Sequence, residues 1–260
     1  MAPSLTEHLI SLTPSSLKVA TEHPFLLEAG KGTLSADRLA AWLTQDRLYG
    51  LMGYTKLLGG LLQRCPSFDV PPGHPKSDLY WKRLRVLGGA MSNITREMAF
   101  FEDVARKNGL PLDVQPPSAS SATSVKGNDE PLLGLLAPTT RGYIDYMATI
   151  ASTATFEEAL VLLWSMEHLY LTAWRFALST QKALSQPAQP SPAVSALSEL
   201  IPNWTSREFE VFVEEIAELV EGIDEEWKRD GEKRERLEAV WKACVYYEQG
   251  FWEAGSPWGH

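Results

Sequence analysis

An all-α fold is predicted by two observations. Nearly every long segment repeats its apolar residues with a period near 3.6, and no stretch sustains the alternation that a half-buried strand needs. The same segments are bounded by helix punctuation, with Ser or Thr before them and Gly or Pro beyond them. Several long helices joined by short turns make a bundle, and a small-molecule site in a bundle is built from side chains that face its interior.

The elements follow in order. Ser15 to Glu28 is predicted as one helix, ended by Gly30 and Gly32. Ser35 is the N-cap of the next, with Asp37 in its first turn; it runs towards Gln63, where Cys65-Pro66 stops it. A third region runs from Lys76 through Trp81 and Leu84 to Leu87. Gly88-Gly89 permits a break there before a helix from Ser92 to Asn108, closed by Gly109 and Pro111. Residues 113–139, with the stretch PPSASSATSVKGNDEP, are polar and have little to bury, so they are expected to form a surface insertion that interrupts one domain spanning 1–260. Helices resume over Thr140 to Ser152, Thr155 to Leu184, Thr205 to Lys228 and Gly231 to Ala254, and SQPAQPSPAVS, between Ser185 and Ser195, reads as an exposed linker.

With 260 residues, 44% of them hydrophobic, the chain can bury a substantial core. A net charge of −9 argues against a nucleic-acid partner, whose phosphates call for clustered Lys and Arg. The most basic stretch, KRDGEKRER from Lys228 to Arg236, is interrupted by Asp230, Glu232 and Glu235. No apolar run approaches the ~20 residues that span a bilayer, and MAPSLTEHLISL lacks a basic segment followed by a long apolar one. A soluble, cytoplasmic protein that binds no membrane is expected. Cys65 and Cys244 are too few for a disulfide framework, and no CxxC, HxH or HExxH spacing offers a metal site, so neither metal nor cofactor is expected.

Three acids stand where a helix should be apolar. Asp46 has Leu39, Trp42 and Leu43 at i−7, i−4 and i−3, and Tyr49 at i+3. Glu167 is bracketed by Leu160, Leu163, Tyr170 and Trp174, and Glu248 by Trp241, Cys244, Val245, Phe251 and Trp252. Helical residues three, four and seven apart share a face, so each acid rides on the stripe its helix buries. Burying an unpartnered carboxylate costs several kcal/mol, and a chain that does so three times is expected to have a polar pocket there. Cys244, isolated beside an aromatic stripe, reads as a small core residue, and His168 points about 100° away from its neighbour Glu167.

At these residues the chain resembles the TenA family, helical enzymes of thiamin salvage with a haem-oxygenase-like fold. HPFLLEAGKGTLSADRLAAWLTQDRLYG, from His23 to Gly50, is similar to the family's opening segment, TTRGYIDYM to its midchain tyrosine helix, and YYEQGFWEAG to its closing glutamate-aromatic motif. The resemblance implies that Asp46 binds the amino group and ring nitrogen of an aminopyrimidine, with Tyr49 beside it. Tyr143, Tyr170 and Trp204 would line the ring pocket, and Glu248 would be the acid/base residue near the leaving group.

The family's nucleophilic cysteine has no counterpart, because WSMEHLY offers Met166 and Glu167 instead. This departure resembles the eukaryotic subgroup often called TenA_E, in which a glutamate replaces the cysteine. Its implied work is deformylation of N-formyl-aminomethylpyrimidine, followed by replacement of the exposed amine by water to give hydroxymethylpyrimidine. Glu167 and Glu248 would then share the proton transfers, their roles left undivided, while thiaminase action by a thiolate is put in doubt. The resemblance also implies a homodimer or homotetramer. Two other functions compete: a pyrimidine-binding protein without turnover, and a di-iron oxygenase on the same bundle. The second wants Glu-x-x-His pairs, and His8, His23, His74, His168 and His260 supply none.

Overall fold

A computed structural model describes residues 3–114 and 132–255, and among these every regular element is helical. Helix α1 (Leu5–Ser11), absent from the sequence expectation, is started by a capping box between Ser4 and Glu7. The predicted first long helix is two: α2 (Pro14–Thr21) and α3 (Pro24–Lys31). Pro24 has no N–H to give, so His23 leaves the helix with φ −63° and ψ 148° and becomes an N-cap, its Nδ1 accepting the Phe25 N–H at 3.2 Å. Gly32, at φ 69°, ends α3 in the left-handed conformation that glycine tolerates.

Ser35 caps α4 (Ala36–Tyr49) by accepting the Arg38 N–H. The helix then widens into one π-helical turn, Gly50–Tyr54, and resumes as α5 (Thr55–Arg64). The expected break at Gly88-Gly89 does not occur: α6 (Pro75–Lys107) runs unbroken for 33 residues. Both glycines lie exposed with nothing within 4 Å of a Cβ position, so they cost α6 only their low helix propensity.

Helix α7 (Pro138–Thr153) is followed by α8 (Phe156–Lys182), which opens with a capping box between Thr155 and Glu158. The stretch read as a linker up to Ser195 already begins α9 (Pro192–Trp204): Ser191 is the N-cap, and Pro192 occupies the first turn, where its missing N–H is not needed. Helices α10 (Arg207–Glu221) and α11 (Gly231–Phe251) are shorter than expected, each followed by a 3-10 turn, Glu225–Lys228 and Trp252–Gly255. Of the expected insertion at 113–139, residues 115–131 lie outside the described residues. Its far end is not loose. Gln45 donates to the Leu135 carbonyl at 2.7 Å and accepts the Ala137 N–H at 2.9 Å, and Leu136 and Ala137 are buried.

Helix α8 is the centre of the bundle. Every residue from Ala159 to Glu167 is buried, and α2, α3, α5, α9, α10 and α11 pack around it. Beside it lies an aromatic block in which Trp42 stacks on Trp252 at 5.4 Å and meets Trp174 edge-on at 5.6 Å. Among the described residues no helix is long and apolar enough to cross a membrane.

Candidate active site

Helices α4, α6, α8, α9 and α11 leave between them a cavity of about 360 Å³, within the range of small-molecule sites. Asp46 from α4, Glu167 from α8 and Glu248 from α11 all line it. Their exposures are 5%, 8% and 4%, so three helices deliver three buried carboxyl groups to one cavity.

Each carboxyl is met by a phenol. Tyr170 donates its hydroxyl to Asp46 Oδ2 at 3.2 Å, Tyr143 donates to Glu248 Oε1 at 2.9 Å, and Tyr54 donates to Glu167 Oε1. Burial penalises the charged form and raises all three acids: Asp46 lies well above the usual carboxylate range, Glu167 is pushed up to about 7 and Glu248 to about 8. The phenol hydrogen bonds act the other way on each acid, and the negative charge of Glu167 raises Glu248 further. Near neutral pH the two glutamates therefore sit between acid and base forms, the condition that proton transfer in both directions needs.

The ring residues divide. Tyr49, Tyr170, Trp204 and Phe251 face the cavity. The Trp204 ring lies 4.4 Å from that of Trp174 and 5.5 Å from that of Tyr170, giving a rigid aromatic wall. Tyr143 departs from the expected ring pocket: it is wholly buried outside the cavity wall, and its hydroxyl is held by Glu248 and by Cys244 Sγ at 3.2 Å. It supports Glu248 from behind. Cys244 is sealed in the same place, its thiol raised well above its usual value by burial and by Glu248. His168 stays out of the cavity and stacks on Trp164 at 5.2 Å, its imidazole lowered to about 4 by burial.

Two cavity residues escaped the sequence reading. Tyr54 lies eight positions beyond Asp46, which on an unbroken α-helix places it ~80° away; the extra residue in the π-turn brings it to within ~20° and points it at Glu167. Gly53 makes room for that turn, since a Cβ there would stand 2.2 Å from Met147 Cε. Glu97, from α6, is the fourth acid on the wall, half-buried, and bonded to the indole N–H of Trp204 and the side-chain amide of Asn203. It has Ala90, Ile94, Phe101 and Val104 at i−7, i−3, i+4 and i+7, the same signature that marked the other three.

No thiol reaches this space. Met166 and Glu167 are on the wall, and neither of the chain's 2 cysteines is. Among the described residues no three His, Cys, Asp or Glu side chains are grouped so as to hold a metal ion.

Residues 129–256 match the TENA/THI-4/PQQC family model. Nearly all of the chain superposes on solved TenA homologues. That from Pyrococcus furiosus gives a TM-score of 0.71 at 21% identity, covering 96% of this chain and 98% of that one. The homologue from P. horikoshii gives 0.70 at 17% identity over 97% and 98%, and the one from Pseudomonas syringae pv. tomato 0.70 at 12% over 97% and 93%. The bundle is thus of the TenA, haem-oxygenase-like type. A Fusarium pseudograminearum protein named "Probable transcription factor" is 28% identical over 251 residues, covering 85% of this chain and 45% of that protein. The chain thus spans less than half the length of this curated relative.

Proposed function

We propose that this chain, whose residues 129–256 match the TENA/THI-4/PQQC family model, is a thiamin-salvage hydrolase of aminopyrimidines that acts without a nucleophilic cysteine. The observation that carries this reading is the convergence of Asp46, Glu167 and Glu248, from three separate helices, on one aromatic-walled cavity.

The ring sits beside Tyr170 and Trp204, where Asp46 pairs with the exocyclic amino group and the adjacent ring nitrogen. An acid raised this far suits that pairing, because carboxyl and ring nitrogen share one proton across a hydrogen bond whichever holds it. On the N-formyl compound, water activated by one glutamate attacks the formyl carbon, and the C–N bond breaks to give formate and the amine. On the amine, bound as its ammonium, water adds at the methylene carbon and passes a proton to one glutamate, the C–N bond breaks, and the nitrogen leaves as ammonia, kept protonated until then by the other glutamate. Glu167, pushed up to about 7, and Glu248, pushed up to about 8, share the roles of base and donor. Attack by a thiolate has no residue to perform it, so thiaminase turnover is not part of this proposal.

The test is release of formate from the N-formyl compound and of ammonia from the aminomethyl compound by purified protein. Hydroxymethylpyrimidine appearing in step with ammonia is the expected result. Binding without either product would overturn the hydrolase in favour of the second reading, a pyrimidine-binding protein without turnover, which keeps the same aromatic-walled cavity. Asp46→Asn is expected to weaken aminopyrimidine binding about ten- to hundredfold, since a charge-assisted pair is lost. Calorimetric titration checks this, and unchanged affinity would remove Asp46 from the recognition of the ring.

A further inference from the structure

The four acids of the cavity are not held alike. Asp46, Glu167 and Glu248 each accept a tyrosine hydroxyl, and a phenol can donate to a carboxylate or accept from a protonated carboxyl. These three can therefore lose their charge and keep their partner. Glu97 has different company. Trp204 Nε1 donates to its Oε1 at 2.5 Å, and Asn203 Nδ2 donates to Oε1 and Oε2 at 2.9 and 3.2 Å. Indole N–H and amide N–H groups only donate, so this arrangement suits the ionised form of Glu97.

Burial raises Glu97 from its usual value, and those donors and the charge of Arg96 act against that rise. Arg96 is the basic residue on the wall among the described residues, and its guanidinium is bonded to Glu208 at 2.9 Å and to Asn93 Oδ1 at 2.6 Å. Glu97 is also close enough to act on its neighbours, its charge raising both Asp46 and Glu167. A standing negative charge thus lies beside the proposed ring site, half-buried, where water screens it less than on an open surface.

We propose that Glu97 is the specificity-determining residue of this cavity and that it reads charge, favouring a pyrimidine that carries an ammonium group over neutral pyrimidines of the same shape. The inference rests on the aminopyrimidine reading above and deepens it by naming the preferred substrate. The aminomethyl compound is a cation at neutral pH, whereas the N-formyl amide and the hydroxymethyl product are neutral. The amine is therefore the better ligand of the three. Hydrolysis exchanges the C–N bond for a C–O bond, with water supplying the oxygen and the nitrogen departing as ammonium. The reaction so removes the charge that Glu97 attracts, and the product is released more readily than the substrate.

The test is titration calorimetry of the full chain with the three pyrimidines at pH 7, for the native protein and for Glu97→Gln, which keeps the shape and an acceptor for the indole. The native protein is expected to bind the aminomethyl compound about ten- to hundredfold more tightly than the hydroxymethyl compound, and Glu97→Gln to reduce that ratio to within about threefold of unity. Glu97→Asp, which retains the charge, should keep most of the preference. Equal native affinities for all three, or a ratio unchanged in Glu97→Gln, would overturn the charge reading and leave the aminopyrimidine site standing. Equal native affinities overturn the proposal even if a variant fails to fold. Binding of none of the three by native protein would overturn both.

Discussion

The deep end of the cavity and its mouth use the same side chain for opposite ends. Deep in the bundle, Glu167 and Glu248 are buried against tyrosines and raised to about 7 and about 8, so each can hold or yield a proton at neutral pH. At the mouth, Glu97 is half-buried and held by two N–H donors; burial raises it from its usual value, while those donors and the charge of Arg96 act the other way. The difference teaches that a carboxyl's job is set by what its neighbours can do with a proton. A phenol follows the titration, and an indole N–H resists it.

The largest effect that would break this contrast is expected from Glu248→Gln. Gln cannot transfer a proton, so turnover should fall at least ~10²-fold while pyrimidine affinity stays within a few-fold, as steady-state kinetics and calorimetry would show. Near-native turnover would remove Glu248 from proton transfer and erase the distinction between the two ends.

Next is the pH profile. With one glutamate of the pair as base and the other as acid, rate should be greatest between about pH 7 and about pH 8, falling below as the base is protonated and above as the acid loses its proton. Stability carries the same signature with a definite sign. The folded protein binds more protons than the unfolded chain between about 4.5 and about 8, so the contribution of these two groups declines as pH rises through that window. Denaturant titrations at pH 5.5 and 8.5 check it, and the double Gln variant should flatten the dependence.

Tyr54→Phe sharpens the comparison more gently. Removing a hydroxyl that favours the Glu167 carboxylate should move the acidic limb of the rate profile upward by about one pH unit. A stationary limb would mean that the π-turn serves packing alone. The smallest effect is expected from Gly88→Ala, which lies on the same helix as Glu97 but touches nothing. It should stabilise the protein by ~0.5–1 kcal/mol by chemical denaturation and leave the ligand preference unchanged, which separates the charge at the mouth from the helix that carries it.

Much of this was legible in the sequence because a helix writes its buried face at fixed spacing. Asp46, Glu167 and Glu248 announced a shared cavity through neighbours at three, four and seven residues, and the structure places all three on one wall. Glu97 obeys the same rule inside the expected Ser92 to Asn108 helix, where Ile94, Phe101 and Val104 share its face, so its place was equally legible there. Tyr54 could not be found that way. A widened turn changes the phase of everything after it, and Gly50 and Gly53 were the sole local hint. Two helix starts were hidden by proline for a related reason: at Pro24 and Pro192 the residue that ends one stretch opens another. Tyr143 was misassigned because spacing tells which face is buried and not whether that face meets a cavity or a neighbour.

Gln45, the residue before Asp46, grips the backbone on both sides of Leu136 with the two ends of its amide. That grip is a mooring. Through it the backbone at Leu135 and Ala137 is tied to the helix that presents Asp46, so the start of the following helix and the recognition acid keep one fixed spacing.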